Sequence, residues 1–219
     1  MIDAGPKERQ KIETQTMYGT LIPIERYYVN KNASEMAVME RRPYLEKWAH
    51  TLSKNYSQIE ICIINNISLP VERDYMYQKM FEKATMERRP YLEKWASTLQ
   101  PEYSQFEIDM IHYVLLPAEY DCMRDNTPQL EIPQQRPTWE DYIATVPNNH
   151  EINAIKYMNN VLIPKEREYI YNRTLGMGTS ERRSVIKGWI NALSDDYKEY
   201  ETKLLDDIVP EQAAPHLYT

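Results

Sequence analysis

Ile22-Pro23-Ile24-Glu25, Leu69-Pro70-Val71-Glu72, Leu116-Pro117-Ala118-Glu119 and Ile163-Pro164-Lys165-Glu166 are four readings of one phrase, and their prolines stand 47 residues apart each time. A fixed period of this length predicts supersecondary units too small to bury their apolar faces alone, which must stack on their neighbours. The expected architecture is an all-α chain of tandem three-helix repeats, 47 residues long, stacked as an α-solenoid-like array.

Each unit reads as helices A, B and C. Helix A opens at the repeated proline, whose fixed φ and missing N–H suit a first helical position. The glutamate two places on falls in the first turn, where the dipole favours a negative charge. Helix B spans Met39 to Leu52 in the first unit and Met86 to Leu99 in the second. Tyr44, Leu45, Trp48, Ala49 and Leu52 give it one apolar face at helical spacing. Pro43 and Pro90 are expected in its first turn, since a proline deeper inside breaks a helix. Helix C follows, about Pro101 to Val114 in the second unit, and the next repeated proline is expected to end it. The predicted layout is an N-terminal capping helix at 1–22, repeats at 23–69, 70–116, 117–163 and 164–209, and a cap or tail at 210–219.

The later units drift while keeping the frame. Tyr44, Leu45, Trp48 and Ala49 become Thr138, Trp139, Tyr142 and Ile143, then Val185, Ile186, Trp189 and Ile190. The indole moves by three residues and a phenol takes its slot, a volume-conserving exchange that cores tolerate. Trp48, Trp95, Trp139 and Trp189 are therefore expected in the core. Residues 39–49 and 86–96 are identical, MERRPYLEKWA, beyond what packing asks; a recent duplication or a repeated partner contact explains it. The A–B connections vary most, and variable loops on one edge of an array are where recognition tends to sit. In size the unit is similar to armadillo and HEAT repeats, but their motifs do not map onto it. That likeness is one of architecture and carries no function.

Two charges recur in every unit: Glu25, Glu72, Glu119 and Glu166, and Arg42, Arg89, Arg136 and Arg183, always 17 residues apart. An arginine near a helix start opposes the dipole and needs a partner. The glutamate of the same unit is the expected one, in a bidentate pair that pins two helix starts. An alternative is a row of anion-binding sites, because Arg41, Arg88 and Arg182 stand beside those arginines, with Gln135 in the third unit. Arginine pairs near Tyr44, Tyr91 and Trp139 would bind phosphates and stack bases.

The net charge of −7 and pI near 5.3 disfavour broad contact with nucleic acid or an anionic membrane. No apolar run reaches the roughly 20 residues of a spanning helix. Cys62 and Cys122 form no disulfide framework or metal pattern, which points to a reducing, cytoplasmic setting. Of the four histidines, only His150 falls on a slot filled by tyrosine in other units, a packing position. Asp195-Asp196 and Asp206-Asp207 read as a helix start and a solvated face rather than metal ligands. No catalytic motif, metal site or cofactor loop emerges, and 5 glycines leave little for a phosphate cradle. The expected function is non-enzymatic: binding another protein as an adaptor, scaffold or inhibitor. The alternatives are a nucleic-acid or nucleotide binder using the arginine pairs, and an acidic decoy, for instance viral, that blocks a host nucleic-acid-binding protein.

Overall fold

The computed structural model describes residues 6–209. The predicted cap at 210–219 and the first residues of the N-terminal cap lie outside the described residues. Every described element is helical, and no strand occurs among the described residues. The chain divides into two compact units, Met1–His112 and Tyr113–Thr219, with the boundary inside one helix.

The first unit holds α1 (Pro6–Thr16), α2 (Ile22–Ser34), α3 (Val38–Ala49), α4 (Lys54–Met80), α5 (Thr85–Ala96) and the start of α6 (Pro101–Asn126). The second holds the end of α6, then α7 (Ile132–Thr145), α8 (Ile152–Tyr157), α9 (Ile163–Arg173), α10 (Thr179–Asn191) and α11 (Asp195–Ile208). The helices predicted as B are α3, α5, α7 and α10. They begin at 38, 85, 132 and 179, 47 residues apart each time.

The repeated proline does not separate helix C from helix A. Pro70 lies inside the 27-residue α4, and Pro117 inside α6. A buried proline-bearing helix loses one backbone hydrogen bond and meets a clash with the carbonyl four residues back, about 3 kcal/mol in an unsupported helix. Burial on both sides of Pro70 offsets that. Ile64 and Leu69 before it, and Met76 and Met80 after it, are all buried. The first and fourth prolines are accommodated differently. A π-helical turn, Met17–Leu21 or Met158–Leu162, runs directly into the helix that carries Pro23 or Pro164. Widening the turn moves the carbonyl away from the ring, as π-bulges do. The glutamate after each proline thus follows a continuing helical turn and gains no helix start.

Pro43 and Pro90 are also deeper than expected. Their helices begin at Val38 and Thr85, so each proline is the sixth helical residue rather than one of the first turn. Pro137 occupies the same place in α7. The three rings face solvent, while their neighbours Arg42, Arg89 and Arg136 are buried.

The core of the first unit joins Ala33, Leu45, Ala49 and Ile64, with Val29, Tyr44, Trp48 and Ile61 packed on it. Leu92, Trp95 and Ala96 bury the inner face of α5. In the second unit Trp139 and Ile186 take the slot of Leu45 and Leu92, and both are fully shielded from water. Helix α8 starts at Ile152, after a Pro147–Glu151 turn in which Asn149 adopts a positive φ of 83°. Asparagine is among the few non-glycine residues that tolerate it.

Candidate functional site

The recurring arginines of the B helices find glutamates, but in a different register from the one expected. Arg42 Nε donates to both carboxylate oxygens of Glu72 at 3.1 Å, and Arg136 Nε donates to Glu166 Oε2 at 2.7 Å. The separation is 30 residues, not 17, so each of these arginines bonds to the glutamate of the following unit. Each also reaches one turn along its own helix: Arg42 to Glu46 at 3.2 Å, Arg89 to Glu93 at 3.1 Å, and Arg136 to Glu140 at 2.6 Å. Arg183 instead bonds Asp206 and the carbonyl of Val209. Glu25 meets a different partner. It stands exposed and accepts a long bond, 3.5 Å, from Trp48 Nε1. Glu72, Glu119 and Glu166 are all buried. The physical reason for the register is the continuous proline-bearing helix, which carries each such glutamate along its shaft instead of at a start.

Burial raises the Glu72 carboxyl above the ordinary carboxylate range, against the pull of Arg42 and of a 3.3 Å hydrogen bond from Trp95 Nε1. Trp95 is buried, as are Trp139 and Trp189, whereas Trp48 is half-buried. The Trp139 indole donates to Thr127 Oγ1 at 2.6 Å, while the buried Trp189 Nε1 has no partner. That an indole also serves as hydrogen-bond donor to the repeated glutamate, 23 residues away, escaped sequence reading, which treated the rings as packing alone.

The second row of cations spends its donors on backbone. Arg41 Nε donates to Met36 O at 3.0 Å and Arg88 Nε to Lys83 O at 3.2 Å. Gln135 Nε2, in the same slot, donates to Leu130 O at 2.9 Å. All three reach the carbonyl five residues back, in the turn that ends the preceding helical segment, where orphan carbonyls need donors. A carboxamide does the job of a guanidinium here, so the slot asks for a donor and not for a charge. Arg182 is the exception, with a buried Nε that has no partner.

A second set of buried carboxylates was not singled out from the sequence. Arg26 pairs with Glu60, Arg73 with Glu107, and Arg167 with Glu201, always 34 residues apart. Their Nε–oxygen distances are 2.9, 2.9 and 2.7 Å. The glutamates are buried, and the arginines stay partly open. Arg73 also lies over the Phe106 ring at 6.0 Å, and Arg167 over Tyr200 at 5.7 Å. A signal was present in the letters. In the third unit the arginine slot holds Tyr120 and the glutamate slot holds Ala154: both partners are gone together. Tyr120 instead joins an aromatic cluster, edge-on to Trp139 at 5.5 Å and to Tyr157 at 6.3 Å. Ala154 is buried beside this exchange of charge for ring.

The outer surface repeats as well. Ile67, Val114 and Val161 share one slot and are 67, 46 and 43 % exposed. Ile24 and Val71 share another, at 50 and 47 %. In the first unit a cleft of about 820 Å³ opens beside α4 and α6, with Asn65, Arg73, Tyr103 and Phe106 in its wall. Among the described residues no cluster of His, Cys, Asp and Glu has the arrangement of a metal site, and no helix is long and apolar enough to cross a membrane. Asp195 pairs with Lys198 at 2.9 Å, which holds its carboxyl below the usual range. Cys62 and Cys122 are free thiols. The chain matches no known family model, no curated protein and no solved structure.

Proposed function

We propose that this chain is a non-enzymatic tandem-repeat protein, its 47-residue units stacked as an α-solenoid-like array, that binds another protein as an adaptor, scaffold or inhibitor. The observation that carries the reading is the exposed aliphatic slot of Ile67, Val114 and Val161. A lone exposed aliphatic is ordinary, whereas the same slot left apolar and open in each period supports a contact made unit by unit. The recurrent charges lend support from the other side. Arg42, Arg89 and Arg136 are buried against carboxylates, and Arg41 and Arg88 are spent on backbone carbonyls, so the scaffold consumes its own cations. The two free thiols suit a reducing compartment such as the cytoplasm.

The test is a pull-down from source-cell lysate, with mass spectrometry, comparing wild type with a triple variant, Ile67→Lys, Val114→Lys and Val161→Lys. A protein captured by wild type and lost by the folded triple variant supports the reading. Equal capture by both places the contact elsewhere and removes this support. Capture of nucleic acid instead of protein would return the arginine-pair alternative to first place.

A further inference from the structure

Tyr18 lies face to face on Tyr56, their ring centroids 3.4 Å apart and their planes within 9°. The Tyr18 hydroxyl shares a hydrogen bond with Ser53 Oγ at 2.9 Å. One period later, within the same compact unit, these three positions are Asn65, Tyr103 and Gln100. The stacking ring has been replaced by a carboxamide, and its counterpart Tyr103 keeps its place. The cleft of about 820 Å³ lies there, and Asn65, Tyr103 and Gln100 all line it. Asn65 is 2 % exposed, and its Nδ2 has no hydrogen-bond partner. The Tyr103 hydroxyl interacts with the Cys62 thiol and, weakly, with that amide, which lies outside good hydrogen-bond geometry. A buried donor without an acceptor is costly unless something else supplies the acceptor. Asn159, two periods on from Asn65, likewise has a buried side-chain oxygen without a partner.

We propose that this cleft receives a tyrosine side chain of a partner polypeptide, its ring laid on Tyr103 as Tyr18 lies on Tyr56. Its hydroxyl then falls near Gln100, and an oxygen of the incoming residue accepts from Asn65 Nδ2. This rests on the protein-binding reading above and adds what the partner must present. The charge of the wall favours a neutral phenol over a nucleotide. Glu102 and Glu107 both line the cleft, and the Arg73 guanidinium is already bonded to Glu107. A phosphate entering here meets carboxylates and no uncommitted cation in that wall. A tyrosine ring instead meets the rings of Tyr103 and Phe106 and four carboxamides, the surroundings it prefers at interfaces.

The experiment titrates the full chain, labelled with ¹⁵N, with N-acetyltyrosinamide and separately with adenosine monophosphate, following the side-chain amides of Asn65 and Gln100, the Gln100 amide being the signal read in the variants that lack Asn65. Saturable shifts of the Asn65 resonances with the tyrosine probe, and none with the nucleotide, are expected. Asn65→Tyr restores the residue of the first slot. It should fill the cleft, abolish the titration and raise Tm. Asn65→Leu removes the donor but leaves the cleft open, and should weaken the probe about tenfold, the ratio that one ordinary hydrogen bond sets. Absence of saturation, tighter binding of the nucleotide, or unaltered titration of either variant overturns the proposal. The two readings fail separately. A partner captured equally by wild type and Asn65→Tyr defeats the cleft and spares the protein-binding function. Probe binding with no partner captured does the reverse.

Discussion

Glu72 is 1 % exposed and accepts from both Arg42 Nε and Trp95 Nε1. Arg42→Ala leaves the Glu72 carboxylate buried without its cation and should cost about 3–5 kcal/mol; Glu72→Ala leaves Arg42 its bond to Glu46 and should cost less, and replacing both with apolar residues less than Arg42→Ala alone. Urea unfolding of the four corners of that cycle reads the coupling, and a coupling near zero would show the pair to be idle. The pH dependence has a definite sign. The folded pKa of Glu72 is raised, so its contribution is fully present below the unfolded value of about 4.5 and is lost as pH rises through the folded value. The stability of wild type relative to Glu72→Gln should therefore fall as pH rises from about 4.5 through the raised folded value, and a rise would reverse the assignment. The 34-residue pairs are asymmetric. Arg73 is partly open and Glu107 is not. Arg73→Ala leaves a buried carboxylate and should cost about 3–5 kcal/mol, whereas Glu107→Ala leaves a cation that reaches water and should cost roughly 1–3. The double variant Arg73→Tyr with Glu107→Ala copies the third unit, Tyr120 with Ala154, and should cost less than Arg73→Ala alone.

At the scale of the element, the continuous helices through Pro70 and Pro117 show tertiary burial overriding a local preference. A residue before proline is biased away from α geometry. Leu69 is nonetheless helical, because it and Met76 lie on the buried face of one shaft. Pro70→Ala restores the missing N–H in a helix that already runs straight through. It should stabilise the protein by about 1–3 kcal/mol, read as a rise in Tm. A loss of stability would mean that the proline ring itself stabilises, through its packing or through the restriction it places on the unfolded chain. The substitution Pro23→Ala is a sharper probe, since Pro23 follows a π-turn. There the backbone has already adapted, and a smaller gain is expected.

At the scale of the molecule, the periodic exposed aliphatics are a surface property with no structural debt. Lysines in place of Ile67, Val114 and Val161 should therefore each change stability by no more than about 0.5 kcal/mol and leave the far-ultraviolet circular dichroism of a strongly helical chain unaltered. A large loss would show that these side chains pack against something within the fold and would withdraw them as a contact surface.

The amino-acid sequence by itself determined that the chain is helical and which residues of the B helices face their core. Those follow from local periodicity: Leu45, Leu92, Trp139 and Ile186 recur 47 residues apart and are all buried. It also marked the charges that recur, because a repeated frame makes any kept polar residue visible. Only the tertiary structure decided which charge meets which. Spacing alone offers Arg42 a glutamate 17 residues upstream or 30 downstream, and the choice depends on a helix that does not stop at its proline. The cleft over Tyr103 belongs to the same category. The exchange of Tyr18 for Asn65 is plain in the letters, but that it leaves Tyr103 and a buried amide in the wall of a cleft depends on how neighbouring helices close around it.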